Sequence, residues 1–462
     1  MSVTLLAYDT RRREIHTIKI LPHPEASSHI FGLLTGSEDG AIICHLYITS
    51  QSGRASRRFI EVGTHIGGTA VRSLCLFPEL AGGGLGIAAS NHRSYILISA
   101  GAKEVIMAWR VEWMQNTDCN LSSEEHPWEI KTTFLAAMGR MDKRDVSKIW
   151  NTEKKSIVGS KKSDQRCMAV VGFVPLCSRG DTYPSGHCVA LTAMSEGSLK
   201  VNILDSARKS DDTFGNMLPV AELRYHVRPI LSLATIAVPI DTQLNNSVIL
   251  VCSGATNGEI GIWDLTELSE FVLRANTRGF GNNLDNLRVI KKPVTSIPLA
   301  HHSGVNSLAL AHGPSGLPGR FIISSGGDDQ SLRVTLLSVD SAFTSRSEKA
   351  LSVSVIMLRT LVIDFAHGSS IKGVWMNHEG MVATTSHDQR LRVWAVHDDG
   401  SSELSIESFA GSFAESPEPE ALDACSIFHD KNVLRVVVAG RGIQIHDLIL
   451  SGQSRQCTDA NC

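Results

Sequence analysis

The feature that most constrains this chain is a strand, turn and strand unit that recurs seven times along 462 residues. The clearest copy is ATTSHDQRLRVWAV, Ala383 to Val396: an apolar strand, a tight polar turn and a second strand. Aligned on the residue near the end of the second strand, the copies place His45, Trp109, Asn202, Trp263, Thr335, Trp394 and His446 in one column. The turns read EDGAI (Glu38 to Ile42), AKEVI (Ala102 to Ile106), EGSL (Glu196 to Leu199), NGEI (Asn257 to Ile260), DQSL (Asp329 to Leu332), DQRL (Asp388 to Leu391) and GRGI (Gly440 to Ile443). Asp, Asn and Gly tolerate positive φ, so such turns close hairpins. The recurrence defines a repeat architecture.

Another apolar strand precedes each hairpin: IHTIKIL from Ile15, VRSLCLF from Val71, MAVVGFV from Met168, ILSLATI from Ile230, VNSLALA from Val305, IKGVWM from Ile371 and LDACSIF from Leu422. A fourth, more variable strand follows most hairpins, as in RRFIEV from Arg57, VTSIPLA from Val294 and LRTLVIDF from Leu358. Four antiparallel strands per unit, with Trp near the end of the third, predict an all-β fold, a seven-bladed WD-repeat β-propeller. The last unit has three strands of its own and the chain begins with a spare one, VTLLAYD from Val3 to Asp9. Residues 1–10 are therefore expected to supply the missing outer strand of blade seven, closing the ring and hiding two edges. Residues 11–450 make the propeller, and 451–462 a flexible tail.

Blade six supplies His367 before its first strand, Thr384 on the second, Asp388 in the turn and Trp394 on the third, a set suited to a buried hydrogen-bond chain. The corresponding structural residues elsewhere read as Ser253, Asn257 and Trp263 with His226 in blade four, and His302, Ser325 and Asp329 in blade five. Blade five carries Thr335 in place of Trp and blade four Asn257 in place of Asp, so both are expected to rely more on apolar packing.

Blade spacing runs from 52 to 93 residues against roughly 40 to 45 for compact repeats, so the excess lies in loops. The largest insertion follows blade two's third strand, residues 114–166; within it Trp128 to Met138 is expected to form that blade's fourth strand. From Lys131 to Arg166 there are ten Lys or Arg against four acids, while the whole chain is formally −3. A local excess of six positive charges attracts phosphates. Lys143, Arg144, Lys148, Lys154, Lys155, Lys161 and Lys162 are the candidate RNA-contacting residues. The acidic loop AESPEPE, Ala414 to Glu420, reads as a solvated linker between blades six and seven.

A composition 42% apolar with 38 glycines fits a strand-rich and turn-rich domain. Arg11, Arg12 and Arg13 are followed by no apolar core of a secretory signal, and no apolar run approaches 18 residues, so no membrane association is expected. Ten cysteines without a C-x-x-C pair read as reduced thiols of a cytoplasmic protein. No phosphate loop, H-E-x-x-H, G-x-S-x-G or closely spaced Cys/His set occurs, and AGGGLG at Ala81 to Gly86 has Ile87 where a dinucleotide fingerprint needs its third glycine. No catalytic residue, metal site or cofactor is expected, and a binding platform is the default reading.

Read in order, HHSGVNSLAL (His301 to Leu310), SSGGDDQSLRVTLL (Ser324 to Leu337), AHGSSIKGVWM (Ala366 to Met376), ATTSHDQRLRVWAV and the closing LDACSI with VVVAGRGIQIHDL resemble the C-terminal propeller of the WD-repeat subunit that partners an FtsJ-type tRNA 2'-O-methyltransferase. SAGAKEVIMAWRVEW, Ser99 to Trp113, fits as well. The resemblance implies a non-catalytic protein that binds the methyltransferase and directs 2'-O-ribose methylation to the wobble nucleotide, position 34, of tRNA. S-adenosylmethionine and the catalytic residues would belong to the partner, and the basic insertion would contact phosphates. Members of that family are longer, with further propellers upstream. The competing reading is a general protein-interaction scaffold, such as a ubiquitin-ligase substrate receptor or a trafficking adaptor.

Overall fold

The computed structural model describes residues 2–9, 14–25, 30–49, 55–65, 68–79, 94–115, 128–138, 165–175, 186–206, 217–241, 246–276, 292–343, 351–400, 403–427 and 433–450. Strand β1 (Ser2–Asp9) precedes blade one, which comprises β2 (Ile15–Leu21), β3 (Ile30–Ser37), β4 (Ala41–Thr49) and β5 (Ala55–Thr64). Blade two is β6 (Val71–Pro78), β7 (Ser94–Gly101), β8 (Ile106–Gln115) and β9 (Trp128–Met138). Blade three is β10 (Cys167–Phe173), β11 (His187–Met194), β12 (Ser198–Asp205) and β13 (Met217–Arg224). Blade four is β14 (Ile230–Asp241), β15 (Asn246–Ala255), β16 (Ile260–Asp264) and β17 (Thr295–Ile297), with the helix α1 (Thr266–Asn276) between the last two. Blade five is β18 (Val305–His312), β19 (Arg320–Gly327), β20 (Leu332–Phe343) and β21 (Leu351–Ile363). Blade six is β22 (Ile371–Met376), β23 (Met381–Ser386), β24 (Arg390–Asp398) and β25 (Leu404–Phe413). Blade seven is β26 (Ala421–Ser426), β27 (Val433–Ala439) and β28 (Gly442–Ile449).

Each blade is a four-stranded antiparallel sheet in sequence order, except the seventh, ordered β1-β28-β27-β26. The N-terminal strand pairs antiparallel with β28, from Ser2 opposite Leu448 to Asp9 opposite Gly442. The protein is thus a seven-bladed β-propeller whose first and last strands share one sheet.

Burial follows position within the blade. Second strands are sandwiched between neighbouring blades and read as continuous apolar runs: all eight residues of β3 and of β11 are buried. Fourth strands face outward, and most of β25 is exposed. The cores lie between blades. Leu21, Leu34 and Ile42 of blade one pack with Leu74, Leu97 and Trp109 of blade two, and Ile15, Ile18 and Phe31 pack with Val437, Ile443 and Ile445 of blade seven.

The column residues occupy equivalent places. His45, Trp109, Asn202, Trp263, Thr335 and Trp394 each face a second-strand residue twelve positions earlier, from Leu33 to Val382. His446 faces Val436, ten earlier, because its turn is two residues shorter. Positive φ falls five residues before the column residue in six blades, at Gly40, Glu104, Gly197, Gly258, Gln330 and Gln389, rather than on the turn's Asp or Asn.

Two expectations are corrected. The segment Ala414 to Glu420 is not simple solvated linker: Ala414 and Ser416 are buried, the Glu415 amide donates to Gln444 Oε1 at 2.6 Å, and Ser416 Oγ donates to the Gly442 carbonyl at 3.2 Å. The excess in blade four is partly helical. In α1, Leu268 and Val272 are spaced one turn apart and bury against Trp263 and Leu265, and Asp264 Oδ1 accepts from the Thr266 amide at 2.9 Å where the helix starts. The run AGGGLG, the candidate RNA-contacting residues from Lys143 to Lys162 and the tail 451–462 lie outside the described residues.

Candidate functional site: the blade networks, the channel and the loop face

In blade six the four residues singled out from sequence meet. Trp394 Nε1 donates to Thr384 Oγ1 at 3.1 Å, Thr384 Oγ1 lies 2.9 Å from His367 Nε2, and His367 Nδ1 lies 3.1 Å from both oxygens of Asp388. The carboxylate can only accept, which assigns the proton to Nδ1 and makes the Thr384 hydroxyl the donor to Nε2. Asp388 also accepts from the amides of Gly368 and Arg390, at 2.8 and 3.0 Å. Its carboxyl is held below the usual carboxylate range by the Gly368 amide and by His367, against the opposing effect of burial.

Blade five builds the same network with His301, not the expected His302. His301 Nε2 meets Ser325 Oγ at 2.9 Å and Nδ1 meets Asp329 Oδ1 at 2.9 Å, while His302 points to solvent and offers Asp329 only its backbone amide, at 2.9 Å. In blade four His226 Nε2 and Trp263 Nε1 meet Ser253 Oγ at 2.8 and 2.9 Å. The acid there is Glu259, 3.5 Å from His226 Nδ1, and the expected Asn257 is exposed. Neither blade therefore depends on apolar packing alone. Ser253, Ser325 and Thr384 belong to a hydroxyl column that also contains Thr35, Ser99 and Thr192, ten residues before the column residue in six blades. In blade two His65 Nε2 lies 2.5 Å from Ser99 Oγ. In blade one His45 takes the Trp place and meets Thr35 Oγ1 at 2.9 Å. Burial drives His45 down to about 3 and His65 and His446 down to about 4, so these imidazoles are neutral.

A second column had an unused signal in the sequence. Two residues into the first strands stand Thr17, Ser73, Ala169, Ser232, Ser307, Gly373 and Asp423, and in six of these strands the register shifts just there. The Leu74 amide donates to Thr17 Oγ1 at 3.1 Å, Val170 to Ser73 Oγ at 3.1 Å, Val374 to Ser307 Oγ at 2.9 Å and Ile20 to Asp423 Oδ2 at 2.8 Å. Ser232 Oγ donates to the Val305 carbonyl at 2.8 Å. A collar of cross-blade bonds thus surrounds a channel of about 480 Å³ whose walls carry His16, Lys19, Arg72, Lys372, Glu420 and Asp423. Gly373 leaves the collar open between blades six and seven, since a Cβ there would stand 2.5 Å from Leu422 Cβ.

Burial pushes the thiol of Cys75 up to about 11 and those of Cys44, Cys167 and Cys425 up to about 12, which removes their thiolates. Among the described residues no three His, Cys, Asp or Glu side chains gather as metal ligands, and no helix is long and apolar enough to cross a membrane.

Fold and site together define a β-propeller of the WD-repeat type, held by blade networks and a channel collar. The chain is 24% identical over 386 residues to the tRNA (34-2'-O)-methyltransferase regulator WDR6 of Mus musculus, covering 82% of this chain and 31% of that protein. The Rattus norvegicus protein of the same name is 23% identical over 384 residues, and the Pongo abelii one 26% over 215 residues, 46% of this chain and 18% of that one. The chain spans a third or less of the length of these relatives. No protein-family profile matches it. Among solved structures, the WD40 β-propeller domain of Doa1 is 12% identical, with a TM-score of 0.46 over 98% of both chains. Sqt1 from Chaetomium thermophilum is 13% identical, with a TM-score of 0.46 over 94% of this chain and 81% of that one.

Proposed function

We propose that this chain is a non-catalytic WD-repeat regulator of an FtsJ-type tRNA 2'-O-methyltransferase, directing ribose methylation to the wobble nucleotide of the anticodon. The observation that carries the reading is the match over 82% of the chain to relatives named for that regulation. The buried, inert thiols and the imidazoles of His301 and His367, engaged through both ring nitrogens, agree with a platform rather than a catalyst. In this reading S-adenosylmethionine sits on the partner enzyme, the complex works in the cytoplasm, and the basic stretch from Lys143 to Lys162 meets tRNA phosphates by charge.

The test is reconstitution of the methyltransferase, tRNA and labelled S-adenosylmethionine with and without this chain, mapping methyl groups at nucleotide 34. Methylation that depends on the chain is expected; equal methylation in its absence, with no co-purification, overturns the reading. Changing Lys154, Lys155, Lys161 and Lys162 to Glu is expected to weaken tRNA binding and flatten its salt dependence without altering the fold.

A further inference from the structure

The blade histidines and turn acids bond across from one another, so the loops entering the first strands and the turns joining second to third strands share one face of the ring. Three successive loops on that face each carry a large apolar side chain into solvent: Val227 is 84% exposed, Leu299 69% and Phe365 78%. Isolated exposed apolar residues need no explanation, but the same feature on three adjacent blades forms a pattern.

Two of the three are also held in an unfavourable backbone. Leu299 and Phe365 both have φ of 53°, the left-handed region that a side chain disfavours and glycine adopts freely. Each is followed by the same Ala-His pair: Leu299 by Ala300 and His301, and Phe365 by Ala366 and His367. The Ala and His are buried, and the His amide donates to the preceding turn, His301 to the Gly258 carbonyl at 3.0 Å and His367 to the Gln330 carbonyl at 3.3 Å. The clamp fixes the loop and leaves the preceding side chain outward. Strain kept by a rigid surround, with an exposed apolar group as its product, is the pattern of a contact surface.

We propose that Val227, Leu299 and Phe365 are the anchors by which this face docks the methyltransferase, each filling an apolar pocket of that protein. The inference rests on the proposed function and names the surface through which it acts. Chemistry favours a protein over RNA here. Val227 and Leu299 have no π face on which a base could stack.

Glycine suits the backbone at both strained positions, so the deciding variant is Leu299→Gly/Phe365→Gly in the full chain, titrated with the FtsJ-type methyltransferase of the same organism. Affinity is expected to fall on the order of 100-fold while Tm stays level or rises, a pairing that a merely structural role would not produce. Val227→Ser is expected to weaken binding further. Phe59→Ser, on blade one's outer strand and 58% exposed, is expected to leave it unchanged. Unaltered affinity in the double variant overturns this inference and leaves the proposed function standing. Loss of tRNA binding with methyltransferase binding intact also overturns it, in favour of an RNA surface. No binding by the unsubstituted chain overturns both.

Discussion

The Thr384 hydroxyl accepts a hydrogen bond from Trp394 Nε1 at 3.1 Å and, through the same oxygen, meets His367 Nε2 at 2.9 Å. One buried atom therefore ties the second strand of blade six to its third strand and to the loop entering the blade. Thr384→Val keeps the shape and removes that atom, leaving an indole N–H and an imidazole nitrogen buried without partners. The expected loss is about 2–4 kcal/mol, with Thr384→Ser retaining most of the stability. Denaturant unfolding measures it, and a loss below about 0.5 kcal/mol would contradict the network's role.

Blade seven presents the opposite case. His446 is fully buried, and neither ring nitrogen has a partner among the described residues. A buried polar ring that finds no hydrogen-bond partner among those residues costs stability that an apolar residue of similar volume does not. His446→Leu is therefore expected to stabilise the fold by about 1 kcal/mol at pH 7. A destabilised variant would show that the imidazole has a role that its surroundings do not reveal.

The same burial sets a pH dependence. His45 is lowered to about 3, and His65 and His446 to about 4, in each case chiefly by burial. Unfolded imidazoles titrate near 6.5, so between that pH and about 4 the unfolded chain binds protons that the folded chain does not. Stability is fully present above pH 6.5 and falls as pH drops through the window, by up to about 1.4 kcal/mol per unit for each fully titrating group. Tm measured from pH 7.5 to 4.5 is expected to decline steadily, less steeply in His446→Leu. A flat profile would be inconsistent with neutral buried rings.

The collar offers a gain. Ala169 occupies the place held by Thr17, Ser73, Ser232 and Ser307 in other blades, and no side-chain oxygen links blade three to blade four there. Ala169→Ser is expected to add a bond to the first strand of blade four, worth about 0.5–1 kcal/mol. Thermal unfolding checks it; a loss of stability would mean that the strand spacing at that joint does not match the others.

Removing residues 1–10 strips β1 from blade seven and leaves β28 as an open edge. Tm is expected to fall by about 5 °C or more, with greater aggregation on heating. An undiminished Tm would show that the ring does not depend on this pairing.

Much of the ring was legible because each strand carries its own period and each turn its own chemistry. Strands such as Ile371–Met376 and Trp128–Met138 coincide with the apolar runs that announce them. Where sequence reading failed, the missing information was relational. Two adjacent histidines, His301 and His302, compete for one slot, and the four-residue spacing to the first strand, shared by His226 to Ile230 and His367 to Ile371, selects His301. Glu259 replaces the turn acid from a position two residues beyond Asn257, which column alignment does not reach. The acidic segment after β25 looks like linker by composition, yet Gln444 and Gly442 of blade seven bind it. The collar column was present in the sequence, but its meaning depends on which strands line the channel.

The antiparallel pairing of Ser2–Asp9 with β28 also sets an order of assembly. Strand Ser2–Asp9 is made long before its partner β28, so it waits while the sequence of the intervening blades is produced. Every other blade can complete itself from contiguous sequence, but blade seven cannot. Ring closure therefore comes last and joins segments more than 400 residues apart, making it the slow, concentration-sensitive stage at which an unpaired strand could be captured by a neighbouring molecule. Once the strand is in place this ring has no open blade to fray, and unzipping begins by undoing that junction.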